Sequence, residues 1–132
     1  MIVDTSVLIA ILKGEPEADQ FATALANSKS SLVLSAASYL EAGIVVDRNG
    51  NAALSARLDD LLKTFAIEIA PVTESQAKLA RAAYRRFGKG SGHPAGLNFG
   101  DCFSYALAME SGAPLLFKGA DFAATDVTAA GA

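Results

Sequence analysis

Short apolar runs alternate along the chain with longer segments of helical period. Met1-Ile-Val is a strand that stops at Asp4, and Thr5 to Leu12 reads as a helix ended by Lys13-Gly14. Glu15 to Asn27 is a second helical stretch, with Pro16 suited to its first turn. Leu32-Val-Leu34 is the next strand, and Ser35 is the N-cap expected for a helix running to about Arg48. After an Asn49-Gly50-Asn51 turn, Ala52 to Phe65 carries Leu54, Leu58, Leu61, Leu62 and Phe65 on one stripe. Ile67-Glu-Ile69 is a third strand. Thr73 to Phe87 is a helix opened by Thr73, with Gln76 placed for a capping box. Gly88 to Gly100 is glycine-rich and reads as a mobile surface loop, after which Asn98 or Gly100 opens a helix through Met109. Pro114-Leu-Leu-Phe117 is a fourth strand, and the tail holds one more near Val127.

Strand then helix, repeated, with strands too apolar to present a wet face, predicts a parallel sheet covered on both sides. The expected fold is α/β, a three-layer α/β/α sandwich on about five parallel strands, with residues 1–132 as one domain. The 132 residues are 52% hydrophobic and 19% charged, which excludes a disordered tail. The longest stretches without a charged residue, Ser30 to Leu40 and Gly90 to Gly100, are 11 residues each, against the ~20 that a membrane helix needs. The start, Met1-Ile-Val-Asp4, has no basic leader, and Cys102 is the single cysteine, so a cytoplasmic place is expected. The net charge is −3, which by itself does not announce a nucleic-acid binder.

In such a sheet, sites form beyond the carboxyl ends of the strands. Asp4 ends the first strand, Asp101 opens the helix before the fourth, and Asp121 follows Phe117 by four residues. Each has a local alternative: a cap at Asp4, a first-turn acid at Asp101 with Asn98 as cap, a turn residue at Asp121. Glu41 shares a helix face with Ala37 and Val45, where a lone carboxylate would lose hydration, unless Ser38 caps and Glu41 reaches back to it. Taken together, several carboxylates at one sheet edge are tolerable when a divalent cation sits among them. An all-oxygen donor set favours Mg²⁺ or Mn²⁺ over zinc. Carboxylate-held Mg²⁺ without a nucleotide-binding loop suits phosphodiester hydrolysis, and the ion lets an acidic protein meet a polyanion. No Gly-x-Ser-x-Gly elbow competes, Cys102 reads as a buried helix residue, and His93 as an exposed loop residue. Lys78, Arg81, Arg85, Arg86 and Lys89 supply five positive charges in twelve residues, and Arg81 and Arg85 share a helix face by their four-residue spacing. Arg85 is the member best read as a contact to a sugar–phosphate backbone, and Lys78 as part of a solvated face.

Asp4-Thr-Ser, Glu41, Asn98-Phe-Gly-Asp101-Cys and Leu116-Phe-Lys-Gly-Ala-Asp121-Phe together resemble a PIN domain, and most of all the VapC toxins of bacterial VapBC pairs. The resemblance spans nearly the whole chain. It implies an Mg²⁺- or Mn²⁺-dependent endoribonuclease with Asp4, Glu41, Asp101 and Asp121 as acidic quartet, the first and third holding the metal most directly, and Ser6 as a supporting hydroxyl. It also implies RNA as substrate, a homodimer, and a VapB-type antitoxin that folds over the acidic groove. The tail carries two acids, so Asp126 competes with Asp121 for the fourth place. Two alternatives are a receiver-like Mg²⁺-binding signalling module, in which Lys118 imitates the essential lysine, and an inactive PIN-like scaffold that only binds a partner. The receiver reading requires an Asp after the third strand, where Ala70-Pro71-Val72 stands.

Overall fold

The computed structural model describes residues 1–48 and 50–131. Its elements in chain order are β1 (Ile2–Val3), α1 (Thr5–Leu12), α2 (Ala18–Asn27), β2 (Leu32–Ser35), α3 (Ala36–Asp47), α4 (Ala52–Thr64), β3 (Ile67–Ala70), α5 (Glu74–Phe87), α6 (Phe99–Ser111) and β4 (Leu115–Leu116), followed by a single 3-10 turn at Phe122–Ala124. Asn49, in the expected turn before α4, lies outside the described residues.

Side-chain caps set most of the helix starts. Asp4, Ser35, Asn51, Thr73 and Asn98 each accept a backbone N–H of the first turn that has no partner within the helix. At α5 the cap is one-sided: Thr73 accepts from Gln76, but the Gln76 side chain turns away and donates to Glu110 at 3.1 Å. The second helix starts later than its sequence period suggests. Pro16 stands in the turn before it, and α2 begins only at Ala18.

The strands form one parallel sheet in the order β3-β2-β1-β4. Among the described residues the sheet has four strands, where about five are expected. The tail contributes one parallel bridge, Leu115 to Ala129, too brief to count as a strand. The alternation of side chains across the pleat gives the sheet two cores. Val3, Leu34 and Leu116 pack under α1 to α4, whereas Ile2 and Leu115 pack on the other face against α5 and α6. The glycine-rich Gly88–Gly100 segment is a loop only as far as Asn98, since Phe99 and Gly100 already belong to α6, and the loop is an anchored one. Gly88 and Leu97 bridge, and Ala95 and Leu97 are buried in the second core.

The strand order reverses at β1. From β1 the chain runs outward to β2 and β3, then returns to place β4 on the other side of β1. The carboxyl ends of β1 and β4 therefore flank the crevice where parallel α/β sheets bind their ligands.

Candidate active site

A cleft of about 360 Å³ opens at that crevice, lined by Asp4, Ser6, Glu15, Glu41, Asp101 and Lys118 with four other residues. Asp4 leaves the end of β1 and is almost completely buried. Its Oδ2 accepts from the Ser6 backbone N–H at 3.0 Å and from Ser6 Oγ at 2.6 Å, and its Oδ1 accepts from Ser104 Oγ at 2.5 Å. Three donors thus replace the water that burial removes. Ser104 is itself within 3.2 Å of Ser38 Oγ, and Thr5 Oγ1 donates to the Ser38 carbonyl at 3.1 Å, so a buried polar chain ties α1, α3 and α6 together behind the carboxylate. Asp4 is therefore both a helix cap and a member of the cleft.

Asp101 is likewise both. Its Oδ2 accepts from the Asn98 N–H at 3.0 Å while Asn98 Oδ1 accepts from the Asp101 N–H at 2.9 Å, a reciprocal cap that starts α6. Burial pushes its pKa from the ordinary 3.8 up to about 6; the Asn98 N–H opposes this, and the charges of Asp4, Asp121 and Glu41 add to it.

Glu41 does not close a capping box with Ser38. The helix begins three residues earlier, capped by Ser35, and the Ser38 hydroxyl is committed to Ser104. The Glu41 carboxylate rests instead against Gly100. A Cβ on that residue would stand 2.8 Å from Glu41 Oε1 and closer still to Oε2, so only glycine leaves the carboxylate this space beside Asp101. Asp121 is exposed and outside the cleft lining, yet its charge acts on Asp101. Asp126 is engaged elsewhere, accepting from Tyr105 Oη at 2.7 Å and pairing with Arg86 at 3.4 Å.

The acids line one cleft without forming a finished cage. Among the described residues, no three acidic, histidine or cysteine side chains are close enough to grip one ion as they stand. The donor set is all oxygen, and the glycine cradle keeps the Glu41 carboxylate in the cleft; both suit a hard divalent ion.

Other expectations fare unevenly. Arg85 is exposed on α5 and does not line the cleft. His93 is half-buried; its Nδ1 accepts from the Ala95 N–H at 3.0 Å and its ring meets Phe87 edge-on, so it serves its own loop. Burial, then the nearby Asp101 charge, pushes the Cys102 thiol up to about 11, which removes it as a nucleophile at neutral pH. The support that Ser104 gives Asp4 and the space that Gly100 leaves for Glu41 are not among the sequence expectations. Ser104 follows Asp101 by three residues, close to one helical turn, and that spacing was the available signal.

The PIN domain family model matches residues 1–127. Ribonuclease VapC28 of Mycobacterium tuberculosis is 58% identical over 127 residues, covering 96% of this chain and 95% of that protein. The crystal structure of M. tuberculosis VapC20, a sarcin–ricin loop cleaving toxin, superposes with a TM-score of 0.76 at 18% identity, covering 98% of this chain and 97% of that one. A toxin–antitoxin complex from Klebsiella pneumoniae superposes with a TM-score of 0.73 at 19% identity, covering 98% and 95%. At these identities the two structures bear on the fold alone.

Proposed function

Because the chain belongs to the PIN domain family, we propose that it is a divalent-metal-dependent endoribonuclease, hydrolysing RNA phosphodiester bonds as the toxin of a VapBC-type pair. What carries this reading is that Asp4, Glu41 and Asp101, far apart in sequence, line one cleft at the point where the strand order reverses. The ribonuclease name of a relative 58% identical along nearly its whole length supports the same activity.

Asp4, Glu41 and Asp101 would hold the ion, Mg²⁺ or Mn²⁺, with Asp121 as the fourth acid. When bound, such an ion lowers the pKa of a water molecule and offsets the charge that builds on the transferring phosphate. The residues of the chain itself do the positioning. Ser6 and Ser104 clamp the two oxygens of Asp4 from opposite sides, which fixes the plane of its carboxylate. The Asn98 cap uses Asp101 Oδ2 and leaves Oδ1 without a donor among the described residues. Gly100 gives Glu41 its place. Asp126, bonded to Tyr105 and Arg86, anchors the tail rather than serving the chemistry.

The same reading supplies two protein partners and a cytoplasmic place of action. A VapB-type antitoxin would answer the acidic cleft with an arginine, whose planar fork matches a carboxylate. A second copy of the chain would cover the apolar groove beside the cleft, where Leu40, Ile44 and Phe99 are 62%, 53% and 76% exposed.

The test is cleavage of total cellular RNA by the purified chain. Cutting is expected with Mg²⁺ or Mn²⁺, is expected to stop on chelation, and is expected to resume when the ion is restored. Undiminished cutting in chelator overturns the metal reading, and no cutting with either ion overturns the ribonuclease reading.

A further inference from the structure

The acid cleft has one basic residue in its wall, Lys118. It stands two residues past β4, and its backbone N–H donates to Ser6 Oγ at 3.0 Å, which ties its main chain to the side chain that orients Asp4. Its ammonium donates to Glu15 Oε1 at 2.8 Å and lies 3.3 Å from Glu17 Oε2. All three side chains are about one-third exposed, at 35%, 31% and 34% in that order, so the trio is neither sealed in nor free in solvent.

These ion pairs are not needed to shape the turn between α1 and α2. Backbone bonds already close it, from the Glu15 N–H to the Ala10 carbonyl and from the Ala18 N–H to the Glu15 carbonyl, both at 2.9 Å. A polyanion entering the cleft meets Asp4, Glu41, Asp101 and Glu15. An ion among the acids answers that repulsion at the centre only, and the phosphates flanking the reacting one need a cation at the rim. The basic face of α5 is not placed for this: Arg85 lies outside the cleft lining, and Arg86 is paired with Asp126.

We propose that Lys118 is the substrate-binding residue that takes an RNA phosphate at the rim of the acid cleft, and that Glu15 and Glu17 restrain it until a phosphate replaces them. This rests on the ribonuclease reading and goes beyond it by assigning the cation and its restraint. An ammonium carries three donors on a flexible stem, so it exchanges a carboxylate for a phosphate oxygen without moving the backbone.

The experiment measures kcat and KM for a single-stranded RNA in Mn²⁺ over a range of salt, for four proteins: wild type, Lys118→Met, Glu15→Gln/Glu17→Gln, and the combination of all three. Lys118→Met is expected to lower kcat/KM about tenfold, mainly through KM, as for one charge-assisted hydrogen bond. It should also flatten the slope of log(kcat/KM) against log salt by about 0.7, the value for one released single-strand counterion. The double glutamine variant is expected to raise kcat/KM about two- to fivefold, the worth of an exposed ion pair. That gain should disappear in the Lys118→Met background, whereas a general charge effect would persist in both. Should Lys118→Met fold poorly, Lys118→Arg is expected to keep the wild-type slope, and the double glutamine variant still tests the restraint. An unchanged slope in Lys118→Met, or an equal glutamine effect in both backgrounds, overturns the proposal alone. A wild type that cuts no RNA overturns the ribonuclease reading and this one with it.

Discussion

Replacing Asp101 by asparagine removes one charge from the cleft while keeping an oxygen to accept the Asn98 N–H that starts α6. The folded state holds the Asp101 proton up to about pH 6, against an ordinary value of 3.8, because burial and three neighbouring acids disfavour its charge. A carboxyl whose pKa is raised on folding binds more protons in the folded chain, so stability is highest below the ordinary value and is lost as pH climbs between the two. A shift of about two units corresponds to about 3 kcal/mol at ~1.4 kcal/mol per unit. Asp101 is partly exposed, and solvent screening reduces this to about 1–1.5 kcal/mol. In chelator at about pH 7, Asp101→Asn is therefore expected to be more stable than the wild type by that amount, or about 3–6 °C in Tm for a chain of this size. The gain should shrink toward nothing at about pH 3, where both states of the wild type are protonated. Urea or thermal unfolding at the two pH values reads it directly. With Mn²⁺ added, the order is expected to reverse, since the ion stabilises only the chain that binds it. A variant equally destabilised at both pH values would refute the reasoning, and would leave Asp101 as a helix cap and nothing more.

Gly100→Ala suits a helix and should be neutral or stabilising by about 0.5–1 kcal/mol, but its Cβ displaces the Glu41 carboxylate. Its RNA cleavage rate is expected to fall about tenfold or more with the fold intact, as when an oriented metal-site neighbour is lost; cleavage at the wild-type rate would detach Glu41 from the site. The two tail acids should separate cleanly. Asp126→Asn is expected to cost about 1 kcal/mol in urea unfolding through its Tyr105 and Arg86 contacts and to leave cleavage unchanged. Asp121→Asn should do the reverse, with a stability change within about 0.5 kcal/mol and slower cleavage; the opposite pairing of effects would make Asp126 the fourth acid.

Much of the architecture is written locally. Asp4, Ser35, Thr73 and Asn98 announce helix starts because a short polar side chain there satisfies an N–H that the helix leaves open, and these starts fall where the pattern puts them. Pro16 misleads, since a proline is equally at home in a turn, and α2 waits for Ala18. The fifth strand fails for a non-local reason: Val127 is a branched apolar residue between Asp126 and Thr128, but pairing depends on which backbone passes beside it, and the tail meets Leu115 only in one bridge at Ala129, through the Thr128 carbonyl and the Ala130 N–H. The glycines of the loop before α6 suggest mobility, yet two buried apolar residues, Ala95 and Leu97, peg it to the core. Asp4, Glu41 and Asp101 were legible as candidates because a carboxylate at a strand end, on an apolar helix face and at the start of the helix before the fourth strand can meet only at one edge of the sheet. Ser104, Gly100 and the tie of Lys118 to Glu15 and Glu17 were not, because each matters only through a neighbour that the fold supplies.

The central claim is that Asp4 and Glu41 act as joint ligands of one divalent ion. Calorimetric titration of Mn²⁺ into the wild type, Asp4→Asn and Glu41→Gln tests it most directly. The account predicts binding by the wild type and an affinity about tenfold or more weaker in each variant, with circular dichroism unchanged. Equal affinity in all three folded proteins would contradict it.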